Sequence, residues 1–250
     1  MKNRARPTER DRAVSVVSLT LTLVGVFCYL ALSDGQIATT VRGFVLAEQR
    51  VRPAVVTDST GSHRFLHTQP GSGEPVGFNP CAEVRYVVNP AGAPSSWRTY
   101  VDEAVGEVEA RTGLELVYDG PTDDRAFADR IDAGGRPLPV LIGWADESEV
   151  DQLADAVAGI GGPTMVELGE ARSYVTGSVV LDRETTERLD RTRHGPELQV
   201  SLLMHELAHL VGLDHVDDPT ELMHPEGVAR TTFGPGDLEG LAALGAIGCA

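Results

Sequence analysis

The chain has 250 residues, with 37 acidic against 21 basic side chains and a formal net charge of −16. That length holds one globular domain of ordinary size with residues to spare. The acidic balance excludes nucleic acid as a partner, because phosphate backbones are held by clustered Lys and Arg.

The surplus begins at the N-terminus. Ala13–Leu32 contains no charged residue and is long enough to cross a bilayer as a helix. Lys2, Arg4, Arg6, Arg10 and Arg12 precede it, against only Glu9 and Asp11. The positive-inside rule then makes residues 1–12 a cytoplasmic tail and residues 13–32 a single-pass signal anchor in the cell membrane, with everything after Ser33 exported. A cleaved signal peptide is the alternative, with Ala31-Leu32-Ser33 as a small-residue site and a secreted product, but the apolar run exceeds the usual signal-peptide core. Cys28 follows Phe27, where a lipidation signal wants a small residue.

From Asp34 to about Pro80 the pattern is weak. Ile37–Val51 alternates enough for a strand or two, and Thr57–Gly77 has the Gly, Pro, Ser and Thr content of a linker. Residues 33–80 therefore read as a stalk, linker or pro-like segment. His63 and His67 have a spacing that would hold metal on a helix, but their Gly, Ser and Pro neighbours argue for a solvated loop.

Regular patterning starts at Cys81, and residues 81–250 read as the folded domain. Val84–Val88 is a strand ended by Asn89-Pro90. Ser95 or Ser96 caps a helix to about Thr112, with Trp97, Tyr100, Val101, Val105 and Val108 along one face and Gly113 closing it. Leu114–Tyr118 is a short strand and Leu138–Trp144 a buried one. Val150–Ala158 is short helical or irregular structure, Gly159–Pro163 a loop, and Glu170–Leu181 two short strands broken near Gly177. Pro196–Val211 is a helix with Leu198, Leu202, Leu203, Leu207 and Leu210 as its apolar stripe, and Pro235–Leu244 is a C-terminal helix capped at Asp237. Cys81 and Cys249 bracket this exported domain, where disulfides persist. A bridge between them would contribute roughly 4–5 kcal/mol by closing so long a loop.

The helix at Pro196–Val211 carries the chemistry. His205-Glu206-Leu207-Ala208-His209-Leu210-Val211-Gly212-Leu213-Asp214-His215 has the form H-E-x-x-H-x-x-G-x-x-H. His205 and His209 are i and i+4, one turn apart on one helix face, so both ring nitrogens can reach one metal at roughly 2.0–2.1 Å. Gly212 can take a positive φ, end the helix and swing the chain back, so that His215 arrives as a third ligand. Three protein ligands leave a fourth zinc position open to water, as a catalytic site requires. Glu206 stands beside His205 as the general base toward that water.

Beyond His215, Glu221-Leu222-Met223-His224-Pro225 resembles the Met-turn beneath the zinc of metzincin proteases, and His205–Pro225 as a whole resembles the matrixin branch of that clan. The resemblance implies His205, His209 and His215 as zinc ligands, Glu206 as catalytic base and Met223 as the Met-turn methionine. His224 departs from the aromatic residue usual in that branch. The implied fold is α+β, a metzincin-like zincin: a twisted mixed sheet with an active-site helix, a Met-turn and a C-terminal helix. A strand beside the zinc binds peptide in that family, and Met165–Val175 is the candidate here. The family also silences zymogens with a propeptide cysteine, but Asn79-Pro80-Cys81-Ala82-Glu83 lacks the flanking Arg, Gly and Asp, which favours the disulfide.

The cofactor implied is one catalytic Zn2+. No acidic loop has calcium-ligand spacing, so a structural Ca2+ is not evident. The function expected is a zinc endopeptidase that hydrolyses peptide or protein substrates at the outer face of a membrane with a Glu206-activated water, whether broad or dedicated to one partner. The alternative is a zinc-loaded surface binding module without general proteolytic activity.

Overall fold

The computed structural model of the chain describes residues 50–155, 157–225 and 230–249. The tail and membrane anchor read at residues 1–32, and the strand read at Ile37–Val51 but for its last two residues, lie outside them. Within the described residues no helix is long and apolar enough to cross a membrane.

Among the described residues, seven strands and four α-helices follow in order: β1 (Arg64–Phe65), β2 (Glu83–Asn89), α1 (Trp97–Thr112), β3 (Glu115–Pro121), β4 (Val140–Ala145), β5 (Gly159–Leu168), β6 (Ala171–Asp182), α2 (Arg183–Asp190), α3 (Gly195–Val211), β7 (Leu213–Asp214) and α4 (Pro235–Gly245). The fold is α+β around a mixed five-stranded sheet of order β3-β2-β4-β6-β5. Strands β3, β2, β4 and β6 run parallel, while β5 lies antiparallel to β6 at the edge.

Alternation along β2 turns Val84, Tyr86 and Val88 into the core. They meet Tyr100, Val101, Ala104, Val105 and Val108, the buried stripe of α1, which makes the crossover to β3. The same core takes Leu203, Leu207 and Leu210 of α3 and Trp144, Val179 and Leu181 of the sheet. Both long helices therefore bury their apolar stripes against one sheet face. The opposite face has a smaller cluster of Phe127, Leu141, Ala145, Leu153 and Val180.

Two segments differ from the sequence reading. Gly159–Pro163 is no loop but the first half of β5, and Ala171–Asp182 is one continuous strand, not two. Met165–Val175 consequently straddles the turn from β5 to β6, and the cleft is bordered instead by the Gly159–Gly161 end of β5. Helix α2 follows β6 at once, started by the Asp182 carboxylate accepting from the Thr185 amide at 2.7 Å.

The stretch before Cys81 also differs from linker behaviour. The compact unit runs from Arg50 to Ala250. The Val51 amide donates to the Pro80 carbonyl at 3.2 Å, Arg52 pairs with Glu109 and Glu115, and the Tyr174 amide donates to the Gly77 carbonyl at 3.0 Å. Val76 and Phe78 are core residues. Cys81 and Cys249 are joined by a disulfide with their Cα atoms 5.6 Å apart, tying the start of the sheet to the end of the chain.

Candidate metal centre

Helix α3 places His205 and His209 one turn apart, as their spacing requires. Gly212 then breaks the helix at φ 126°, a conformation that side chains rarely adopt, and its amide still donates to the Ala208 and His209 carbonyls. The reversal brings His215 back over the helix. Its Nε2 stands 3.1 Å from Nε2 of His205 and 3.1 Å from Nε2 of His209. All three ligand atoms lie within 4.8 Å of one another.

The far side of each helical imidazole fixes which nitrogen faces inward. Nδ1 of His205 donates to the Leu222 carbonyl and Nδ1 of His209 to the Leu213 carbonyl, both at 2.8 Å. With the proton held at Nδ1, each Nε2 presents a lone pair to the common centre. Burial, with neighbouring imidazoles adding to it at His205, pulls His205 and His209 down to about 4 and lowers His215 as well. Neutral rings whose lone pairs converge repel unless a cation lies between them. Two nitrogens on a tetrahedral zinc at roughly 2.0–2.1 Å stand about 3.3 Å apart, close to the spacing here. The donor set therefore fits one metal ion, zinc included.

Glu206 is buried on the same helix and lines the same cleft. Burial pushes its carboxyl up to about 8, against the pull of a hydrogen bond from the Gly161 amide of β5. The approach of strand and helix is close: a Cβ at Gly161 would lie 1.9 Å from the Glu206 carbonyl oxygen. Only glycine allows β5 to run so near the helix that holds Glu206.

Met223 is 1 % exposed, in a turn where the Val216 amide donates to the Met223 carbonyl at 3.1 Å. Two buried carboxylates fasten this turn to α4. Asp237 accepts from the amides of Leu222 at 2.5 Å, Gly234 at 2.9 Å and Met223 at 3.3 Å, while Glu221 accepts from Gly236 at 2.9 Å and Asp237 at 3.0 Å. Asp237 is thus not the N-cap of α4, which is Gly234, but the third residue inside it.

Three other histidines lie elsewhere. Nδ1 of His67 is 2.9 Å from the Tyr174 hydroxyl, His63 faces Glu239 at 3.6 Å, and exposed His194 precedes α3. His63 and His67 form no metal pair. Cys81, held in the disulfide, is no ligand either.

The three imidazoles open onto a cleft of about 810 Å³. Its apolar walls are Leu66, Ile160, Leu189, Leu198 and Leu202, contributed by the N-terminal segment, β5, α2 and α3. Leu66 and the α2 residues were missed in the sequence. They carry no motif, and only the tertiary fold brings them to the site.

No protein-family model matches the chain, and no curated protein sequence matches it. Among solved structures it is distantly similar to the archaemetzincin of Methanopyrus kandleri, at 17% identity over 64% of this chain and 92% of that one, with a TM-score of 0.39. The archaemetzincin of Archaeoglobus fulgidus, complexed with malonate, gives 17% identity over 61% of this chain and 95% of that one, with a TM-score of 0.35. The ECX AB5 holotoxin in its GM1-bound form gives 15% identity over 58% of this chain and 57% of that one, with a TM-score of 0.29.

Proposed function

We propose that the chain is an exported zinc-dependent endopeptidase. The observation that carries this reading is the convergence of three imidazole nitrogens beside a buried glutamate, in one cleft bordered by an edge strand. His205, His209 and His215 would hold the metal. When bound, zinc supplies Lewis-acid activation of water and of the scissile carbonyl.

The protein's own residues account for the remaining steps. The edge of β5 offers backbone groups to an extended peptide by strand addition, which needs neither terminus of the substrate and so suits internal cleavage. Glu206, acting as the carboxylate, takes a proton from the attacking water and returns it to the leaving amine, and its burial raises its affinity for that proton. The Gly161 amide steadies that carboxylate between the two transfers. The carbonyls of Leu213 and Leu222 keep the imidazoles in the tautomer that faces the metal.

The Cys81–Cys249 disulfide suggests an extracellular setting. Anchorage through residues 13–32 is part of the proposal, which places the domain at the outer face of the cell membrane. A zinc titration of the purified protein tests the centre. One zinc should bind per chain, be lost in His209→Ala and be kept in Glu206→Ala. Equal zinc binding by wild type and His209→Ala would sink the assignment.

A further inference from the structure

Two of the three imidazoles depend on one short stretch, Leu213–His215. The Leu213 carbonyl orients His209, and the Asp214 carboxylate accepts the His215 amide at 2.8 Å. This stretch follows Gly212 outside the helix, so no i,i+4 ladder holds it. It is held instead by residues about 150 positions upstream. Strand β1 pairs antiparallel with β7, Arg64 opposite Asp214 and Phe65 opposite Leu213, and the Leu66 amide donates to the Gly212 carbonyl at 2.9 Å.

The Arg64 guanidinium completes the clasp. Its Nε lies 2.9 Å from Oδ2 of Asp214, and its NH2 donates to the carbonyl of His215 at 2.5 Å. One side chain thus spans the third imidazole residue, with one arm on the carboxylate that fixes its amide and the other on its own carbonyl. The planar fork suits two acceptors, where an ammonium would serve only one well.

We propose that Arg64, acting through Asp214 and the backbone of His215, is a positioning residue of the metal centre, and that β1 is therefore an integral wall of the site. The proposal rests on the reading of the histidine cluster as a metal site. It also gives residues 64–66 a role that a removable leader could not have: taking them away would release the loop that delivers the third imidazole. As an ion pair the contact adds little to folding, because the Arg64 side chain is 63% exposed and Asp214 34%. Its effect lies in placement, so it should be read at the metal and not in thermal stability.

The test uses the full-length protein and four variants: Arg64→Ala, Arg64→Lys, Asp214→Asn, and Arg98→Ala as a control from the exposed Arg98–Asp102 pair of α1. Zinc affinity is measured by competition with a chromophoric chelator, and the geometry of the centre from the visible spectrum of the cobalt-loaded protein. Arg64→Ala should weaken zinc binding about tenfold, the lower end of what outer partners of metal ligands contribute, and should alter the cobalt spectrum. Asp214→Asn should act in the same direction, Arg64→Lys should fall between Arg64→Ala and wild type, and Arg98→Ala should match wild type. Unchanged affinity and spectrum in Arg64→Ala would overturn the proposal, whether or not its unfolding temperature falls. A wild-type protein that binds neither metal would overturn the metal-centre reading itself, and that result is visible before any variant is made.

Discussion

Gly161 and Gly162 are neighbours in β5, yet a methyl group added to each should have opposite consequences. A Cβ on Gly161 would lie 1.9 Å from the Glu206 carbonyl oxygen, 2.6 Å from its carbonyl carbon and 2.9 Å from its Cα. All three are backbone atoms of α3, so no rotamer relieves the clash. Restoring ordinary contact needs about 1.5 Å of separation between β5 and α3. That movement would loosen the packing beneath the active-site helix and draw the Gly161 amide from the Glu206 carboxylate. Overpacking costs about 1–3 kcal/mol where side chains can give way. With backbone on both sides, Gly161→Ala should reach at least about 3 kcal/mol, a fall of about 6–12 °C in Tm for a unit of this size. A Cβ on Gly162 would meet nothing within 4 Å, and Gly162 has no positive φ. Gly162→Ala should therefore stay within about 1 kcal/mol of wild type, on the stabilising side, by restricting the unfolded chain. Urea unfolding of the three proteins in chelator measures both effects. Equal midpoints, or Gly162→Ala as the weaker protein, would refute the close approach of strand and helix.

Acidity should act on the metal-free protein in two opposed ways. Burial holds Glu206 at about 8 against an ordinary 4.5, so its contribution is complete below pH 4.5 and lost as pH rises toward 8. His205 and His209 sit at about 4 against an ordinary 6.5, so their contribution is complete above pH 6.5 and lost as pH falls toward 4. Thermal unfolding in chelator should show greatest stability at about pH 6–7, and Glu206→Gln should remove the alkaline decline; a flat profile would contradict these environments. The disulfide joins residues 168 positions apart in sequence. Replacing Cys81 and Cys249 by Ser should cost about 2–5 kcal/mol in denaturant unfolding, and an unchanged midpoint would refute its stabilising role. Asp237→Asn should cost about 1–3 kcal/mol by turning an amide group toward backbone donors. It should also weaken zinc binding, because the Leu222 carbonyl orients His205; normal affinity in a destabilised variant would uncouple the two.

The parts of the site legible in the sequence are those written in one contiguous stretch. The helical spacing of His205 and His209, the break at Gly212 and the return of His215 each follow from local geometry, and the structure brings the three rings together. Strand β2 and helix α1 declared themselves by apolar periodicity, and β4 by a continuous apolar run. β5 did not, because Gly159, Gly161, Gly162 and Pro163 are poor strand formers, of which Gly159 and Gly161 make the close approach to Glu206 of α3. The signal was available, since glycines inside a strand mark close backbone contact. Helix α2 was hidden by its polarity, although Asp182 ahead of Thr185 is a capping pattern. The segment around Arg64 was illegible for a different reason. Its partners are Gly212, Asp214 and His215, far along the chain, and nothing in its own composition points to them.

The central claim is metal-dependent peptide hydrolysis with Glu206 as the base. The most direct measurement is cleavage of a quenched-fluorescent peptide library by the zinc-loaded protein beside its Glu206→Ala variant. The wild type should cleave, with activity abolished by a chelator and restored by zinc. In the variant, zinc stays bound while turnover falls by at least about a hundredfold, the lower end of what a general base supplies. Folded, zinc-loaded wild type that leaves every peptide intact would contradict general proteolysis and favour a dedicated substrate or a binding role. Cleavage that survives Glu206→Ala would remove Glu206 from the chemistry.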